Sequence, residues 1–249
     1  SRGWALNPCV ICNRDVKFGL AAGRILAEAD AVATGHYANL RVVEDEVYLE
    51  EGSDPVKSQA YFLALVKKEV LKRAIFPLGS LTKDQVLRAN PDVPASPESY
   101  DVCFAPEGLA KFLERRLGRA RGPIYYKGEL VGFHRGVHLL TVGQRRGLGV
   151  GAGKRLYVVD INPPEVRLGT WEEAHRKEIL VGQVNWLAEP RKRAVVRVRV
   201  SHPGTPASLV PKGDLIKVIF DEKVFAPAPG QLAAFYEGER VLGGGIILR

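Results

Sequence analysis

The sequence predicts an α/β first third followed by all-β modules, and three observations carry that expectation. Apolar residues recur at helical spacing near the start and a short apolar run follows them, the texture of alternating helix and strand. After Gly122-Pro123 the chain breaks into short β-branched runs separated by glycine, proline and acidic turns, the texture of a barrel or sandwich. Three cysteines in 249 residues are too few for a disulfide framework, so the fold must rest on a buried core, which a chain of this length can supply.

Taken in order, Phe18, Ala22, Ile25, Leu26 and Ala29 predict an amphipathic helix over residues 17–28. Residues 31–34 form a short buried strand ended by Gly35, which places His36 and Tyr37 at the carboxyl end of a strand, where open α/β sheets bind ligands. Residues 47–50 are expected to be a hairpin arm. Tyr61, Leu63, Leu65, Val66 and Val70 predict a helix over residues 58–73, and Thr82-Lys83-Asp84-Gln85 is a capping box opening another. Leu109, Phe112, Leu113 and Leu117 give the clearest helical stripe, stopped by Gly118, with Arg115, Arg116, Arg119 and Arg121 clustered beside it. Strands are expected at 138–142, 156–161, 166–168, 179–187, 194–200, 215–220 and 232–236, with Glu237-Gly238 turning into a last strand at 240–247. The expected division is 1–121, 122–176 and 177–249.

The net charge of +8 is concentrated in that first arginine cluster and in Arg191, Lys192, Arg193, Arg197 and Arg199. Clustered guanidinium groups favour phosphate, so a polyanion fits, and a merely solvated basic face fits equally. No apolar run approaches the ~18 residues of a membrane span and no signal segment opens the chain. A reducing cytoplasm and no membrane partner are expected, and in that setting a disulfide is catalytic rather than structural. The sequence contains no methionine, and it is expected to be a fragment or a processed chain.

Cys9 and Cys12 form a C-x-x-C and Cys103 stands alone. Sulfur chemistry, an incomplete metal site and simple burial all remain open on these residues.

Six segments then occur in a characteristic order: Asn7-Pro8-Cys9-Val10-Ile11-Cys12-Asn13, Ala33-Thr34-Gly35-His36-Tyr37-Ala38, Phe76-Pro77-Leu78-Gly79, Asp101-Val102-Cys103-Phe104, Thr141-Val142-Gly143-Gln144-Arg145-Arg146-Gly147-Leu148-Gly149, and Leu242-Gly243-Gly244-Gly245-Ile246-Ile247. In order and spacing the chain resembles the bacterial tRNA-specific 2-thiouridylases over nearly its whole length. The resemblance implies the remainder of a Rossmann-like ATP-pyrophosphatase (PP-loop) domain, then a small β domain and a C-terminal antiparallel β-barrel that contacts tRNA. It implies an enzyme that uses ATP, with Mg2+, to adenylate the C2 carbonyl oxygen of the wobble uridine and then replaces that oxygen by sulfur from a persulfide. A carbonyl oxygen is a poor leaving group until AMP is attached, and a persulfide sulfur is a good nucleophile at neutral pH. The implied partners are tRNA and a persulfide sulfur-donor protein, and the chain is expected to be a monomer.

Residue by residue, Cys103 matches the persulfide carrier and Cys12 the nucleophile that attacks it, releasing sulfide and leaving a Cys12–Cys103 disulfide. The resemblance therefore requires the two to come within reach, with the loop of residues 94–105 taking docked and withdrawn positions. Gly35 matches a nucleotide-contacting glycine. Asn7, Pro8, Cys9, His36, Lys57, Ser58, Gln59, Ser201, His202 and Gln231 fall at tRNA-contacting positions. Ser58 and Ala60 depart from the pattern, as do Ser201 and His202, where relatives tend to have arginine and glutamine. The Gly143–Gly149 segment could cradle a phosphate or be a plain turn. Cys9, where some relatives have aspartate, opens an alternative in which Cys9, Cys12 and Cys103 hold a [4Fe–4S] cluster. The family's Ser-Gly-Gly-x-Asp-Ser ATP loop does not occur in the sequence, so the chain alone is expected to be inactive. A non-catalytic tRNA-binding module and a pure iron–sulfur carrier are the competing expectations.

Overall fold

A computed structural model describes residues 3–92, 102–151 and 153–248. Most of the expected mobile segment, residues 94–101, lies outside the described residues.

The first helical run starts at Pro8 rather than near residue 17. Helix α1 (Pro8–Ile11) passes directly into a π-helix (Cys12–Ala21) and then α2 (Ala22–Ile25). Asn7 caps it, its Oδ1 accepting from the backbone N–H of Cys9 at 3.1 Å and of Val10 at 3.4 Å, and Pro8 fits the first turn, whose N–H groups need no helical partner. Val10, Phe18 and Ala22 are buried, whereas Ile25, placed in the expected stripe, is 45% exposed. Strand β1 (Val32–Ala33) follows and later pairs in parallel with β4 (Ala74–Ile75).

Strands β2 (Ala38–Val43) and β3 (Glu46–Glu51) form the expected hairpin. The helix expected over 58–73 is instead a 3-10 turn (Ala60–Leu63) and a separate short helix α3 (Lys68–Leu71). The reason lies in where its carbonyls go. Asn185 Nδ2 donates to the oxygens of Ala64 and Val66, both at 2.9 Å, and Asn13 Nδ2 donates to that of Phe62 at 3.2 Å. Side-chain amides from two other elements take acceptors that an α-helix would satisfy itself, and Tyr61, Leu63, Ala64, Leu65 and Val66 are all buried, without a helical stripe.

Helix α4 (Lys83–Ala89) carries the expected capping box, and α5 (Leu109–Leu117) ends at Gly118 with φ +69°. Strands β5 (Gly122–Tyr126), β6 (Glu129–His134), β7 (Tyr157–Asn162) and β8 (Glu165–Gly169) make a four-stranded sheet in the order β6-β5-β8-β7. The strand expected at 138–142 is a 3-10 turn (Val137–Leu139), because Val137 and Leu140 are buried three residues apart rather than alternating.

The remaining strands are β9 (His175–Trp186), β10 (Arg193–Arg197), β11 (Thr205–Lys212), β12 (Leu215–Phe225), β13 (Leu232–Glu237) and β14 (Arg240–Ile247). They close in the order β13-β10-β11-β12-β9-β14, with β14 pairing back onto β13, as an antiparallel barrel. Strand β11 escapes the sequence pattern because Pro206 and Pro211 lie within it, residues that cannot donate to a ladder.

Strand β14 has two partners on one side. From Gly243 onward it pairs with β9, while Arg240 and Val241 pair with Glu50 and Leu49 of β3. The β2–β3 hairpin is thus grafted onto the barrel, and one core runs through both parts. Val10, Phe18, Leu49, Tyr61 and Leu71 share it with Leu232, Tyr236 and Ile246. Each such buried side chain contributes about 1.5–3 kcal/mol. Tyr61 adds a hydrogen bond, its hydroxyl donating to the Leu232 oxygen at 2.7 Å. Glu51 adds an ion pair to Arg197 at 2.6 Å, with Arg197 stacked 4.3 Å over the Tyr236 ring. Among the described residues, no helix is long and apolar enough to cross a membrane.

Candidate active site

The joined core holds the first helical run against the barrel, and an open cavity of about 580 Å3 lies along that junction, in the size range of small-ligand pockets. Asn7, Pro8, Cys9 and Cys12 enter it from the helix start, His36 and Gln59 from the segments flanking the hairpin, Gln231 from the barrel, and Cys103 from the segment before α5. Of the residues expected at the site, Gly35, Lys57, Ser58, Ser201 and His202 do not line this cavity.

The helical start explains the clustering of thiols. Cys9 and Cys12 are three residues apart on one helical face, and Asn13 and Lys17 continue that face into the cavity wall. Cys103 is anchored at the cavity through its neighbour, because the Phe104 ring packs edge-on against Phe112 of α5 at 5.2 Å. All three thiols are free, Cys9 and Cys103 exposed and Cys12 half-buried. Burial pushes the Cys9 thiol above its ordinary pKa, the neighbouring Cys103 and Cys12 push the same way, and the Lys17 ammonium opposes them. The Cys9 thiol thus lies close enough to feel the other two sulfurs. Among the described residues, however, no group of three His, Cys, Asp or Glu side chains is arranged to hold a metal ion. That arrangement gives the [4Fe–4S] alternative no support.

His36 is 6% exposed and sits between Phe18 and Phe76, with ring centroids 5.6 and 5.7 Å away. Burial, helped by Lys17, lowers its pKa to about 4, so the imidazole is neutral. Its Nδ1 lies 2.8 Å from Thr34 Oγ1 and its Nε2 3.2 Å from Asn13 Oδ1. Gly35 is exposed at the end of β1, and a side chain there would meet only Leu78 Cδ1 at 3.7 Å. Protein packing does not demand glycine at this position, and the backbone is open to a ligand.

The Gln59 side-chain oxygen accepts from the Tyr37 N–H at 3.0 Å, Ser58 bonds to Glu51, and Gln231 Nε2 donates to the Ala5 oxygen. Ser58 is therefore tied to the carboxylate that also holds Arg197. His202 is half-buried beside Arg197 and Arg199, and burial with those two charges lowers its pKa. The second basic cluster is largely paired internally. Arg193 bonds Asp221 at 2.5 Å, Arg197 bonds Glu51, and Arg199 donates to the Phe225 oxygen. The first cluster is the more exposed one: Arg115 pairs with Glu107 and Arg119 with Glu114, both on the surface, while Arg116 and Arg121 lie over Phe112 and Phe133 at 5.1 and 4.2 Å.

The Gly143–Gly149 segment is a self-stitched turn. Gln144 accepts from the Thr141 N–H at 3.1 Å and donates to the Arg146 oxygen at 2.9 Å. Gly143, at φ +92°, would drive a side chain to 2.7 Å from Ala226 Cβ, so this glycine serves packing against the barrel end.

Sequence reasoning passed over Asn13, Lys17, Phe62 and Phe104 as lining residues. The signal for the first two was helical periodicity, since positions 9, 12, 13 and 17 share a face once the helix is known to start at Pro8.

Three family models match in succession: a tRNA methyl transferase HUP domain over residues 1–107, a tRNA methyl transferase PRC-barrel domain over 110–168, and an aminomethyltransferase beta-barrel domain over 176–247. Curated relatives called tRNA-specific 2-thiouridylase MnmA match over almost the whole of this chain and about three quarters of their own length. The one from Desulfotalea psychrophila is 37% identical over 99% of this chain and 76% of its own length. That from Desulfosudis oleivorans is 41% identical over 99% and 73%, and that from Aquifex aeolicus 38% over 99% and 73%. With an α/β part, a small β sheet and a closed barrel in that order, and relatives of this identity over most of their length, the chain belongs to the tRNA-specific 2-thiouridylase family.

Proposed function

We propose that the cavity receives a uridine of tRNA and that its thiols exchange the C2 oxygen for sulfur. The observation that carries this reading is the convergence of Cys9 and Cys12 with Cys103, more than ninety positions away in sequence, on one open cavity. The relatives' name describes sulfur chemistry and the family models' name methyl transfer; a cavity walled by three free thiols favours the first.

In the proposed reaction ATP, accompanied by Mg2+, supplies the AMP that turns the uracil O2 into a leaving group. Cys103 receives a sulfur from a persulfide donor protein. The Cys12 thiolate attacks Cys103 Sγ, the S–S bond of the persulfide breaks, hydrosulfide leaves with the electron pair, and a Cys12–Cys103 disulfide remains. Hydrosulfide adds at C2 and AMP departs; a thiol reductant then restores both cysteines. Lys17 lowers the cost of negative charge among the sulfurs, as its effect on Cys9 indicates. Asn7, Pro8, Cys9, Gln59 and Gln231 line the space beside the base, Lys57, Ser58, Ser201 and His202 lie further along the tRNA path, and Gly35 offers open backbone to the nucleotide.

ATP activation calls for a loop of the Ser-Gly-Gly-x-Asp-Ser type, absent from these 249 residues, so they alone are expected to form no 2-thiouridine. The test measures 2-thiouridine in unmodified tRNA with ATP, Mg2+ and a persulfide donor, using the chain alone and joined to a segment bearing that loop. Product is expected only in the second case, and lost in Cys12→Ser and in Cys103→Ser. Product that survives either substitution rules out the assigned sulfur route.

A further inference from the structure

We propose that His36 is a positioning residue for the Cys12 thiol, acting through Asn13. The proposal rests on Cys12 as the attacking thiol and adds what holds it in place. Asn13 follows Cys12 directly, is 3% exposed, and lies in the opening turn of the π-helix. Its carboxamide spans two groups outside its own helix: Nδ2 donates to the Phe62 oxygen and Oδ1 meets His36 Nε2.

These contacts fix every proton in the chain. The Phe62 oxygen can only accept, so the Asn13 nitrogen faces it and Asn13 Oδ1 faces the histidine. His36 must then carry its proton on Nε2 to donate to that oxygen. A neutral imidazole protonated at Nε2 has a lone pair at Nδ1, which accepts from the Thr34 hydroxyl at 2.8 Å. The two flanking phenyl rings prevent the imidazole from turning away.

The consequence for Cys12 is geometric. A π-helix is wider and less tightly specified than an α-helix, and such stretches recur where function needs a particular side-chain direction. Clamping Asn13 to Phe62 and His36 fixes the rotation of this turn, and with it the direction in which the adjacent Cys12 enters the cavity, where Cys103 also lies. Both ring nitrogens of His36 are engaged within the protein, so its contribution is made through Asn13.

The test compares two partial isosteres. His36→Gln can place an amide N–H near the original Nε2 and keep the donor to Asn13. His36→Asn reaches only the position of Nδ1 and loses that donor. Each chain is equilibrated in a glutathione redox buffer, and peptide mapping reads the ratio of Cys12–Cys103 to all disulfides that contain Cys9. The ratio is expected to fall by about tenfold in His36→Asn and in Asn13→Ala, the scale of effect a small misplacement has on a proximity-driven step, and to be restored in His36→Gln. General unfolding would also lower the ratio, because an unfolded chain closes the short Cys9–Cys12 loop more readily than the long one to Cys103; each variant is therefore mapped well below its unfolding midpoint, with its fold checked by circular dichroism. An unchanged ratio in His36→Asn, no restoration in His36→Gln, or a fall only in tRNA affinity would overturn the proposal. Wild-type chain that forms no Cys12–Cys103 bond would instead overturn the sulfur-transfer reading on which it rests.

Discussion

Asn185 is the sharpest lever on the junction that forms the cavity. It sits on β9 of the barrel, yet its Nδ2 donates to the backbone oxygens of Ala64 and Val66 in the first part, both at 2.9 Å. Asn185→Asp keeps the size and removes the donor, leaving the carbonyls of two buried residues facing a half-buried carboxylate. An unsatisfied buried acceptor costs about 1–3 kcal/mol, so the pair predicts a loss of roughly 2–4 kcal/mol once partial access to water is allowed for. For a chain of this size that lowers the unfolding midpoint by roughly 4–16 °C. The assay is thermal unfolding followed by circular dichroism at neutral pH, with exposed Glu189→Ala as a control expected within about 0.5 kcal/mol of wild type. Because residues 59–66 carry Gln59 and Phe62 into the cavity, thiolation by the joined chain should fall as well. A midpoint indistinguishable from the control would refute the claim that this amide, rather than helix formation, holds the segment.

Three further outcomes are expected. Arg197→Met should cost markedly more alone than in a Glu51→Gln background, with a coupling of about 1–3 kcal/mol in a double-mutant cycle, since both side chains are mostly buried, at 26% and 15% exposure; denaturant unfolding measures it, and additive losses would contradict it. His36 has a folded pKa near 4 against an ordinary 6.5, so the unfolded state binds more protons between those values and stability falls as pH drops from 6.5 to 4, by at most about 3 kcal/mol; the slope should be shallower in His36→Gln, and identical slopes would count against the buried neutral imidazole. Affinity for unmodified tRNA should fall with rising salt, and replacing Arg115, Arg116, Arg119 and Arg121 by alanine should flatten the log–log slope by about 3 units; filter binding across a salt series decides it, and an unchanged slope removes that exposed cluster from the interface.

Local rules found the elements whose boundaries are written locally. The Thr82–Gln85 capping box, the Gly118 stop and the short apolar runs of β13 and β14 are each set by nearby residues. What failed was set from a distance. Residues 58–73 have enough apolar content for a helix, but Asn185 and Asn13 claim their carbonyls, and nothing within the segment announces that. The grafting of β3 onto β14 is equally invisible, because pairing between residues 49–50 and 240–241 leaves no local signature. At the site, the C-x-x-C and the isolated Cys103 were legible as chemistry, while Lys17 and Asn13 were hidden by a helix start placed too late. The arginines at 191–199 were a cluster in sequence but pair with different partners in space, Glu237, Asp221 and Glu51, which no local rule announces.

The measurement that bears most directly on the account is the disulfide map of mildly oxidised wild-type chain. A disulfide needs Cα atoms about 4.4–6.8 Å apart, so only thiols that truly meet in the cavity can join without unfolding. The account predicts an internal Cys12–Cys103 bond in preference to Cys9–Cys12, formed by folded protein. Only Cys9–Cys12, or three thiols inert until the chain is unfolded, would contradict it.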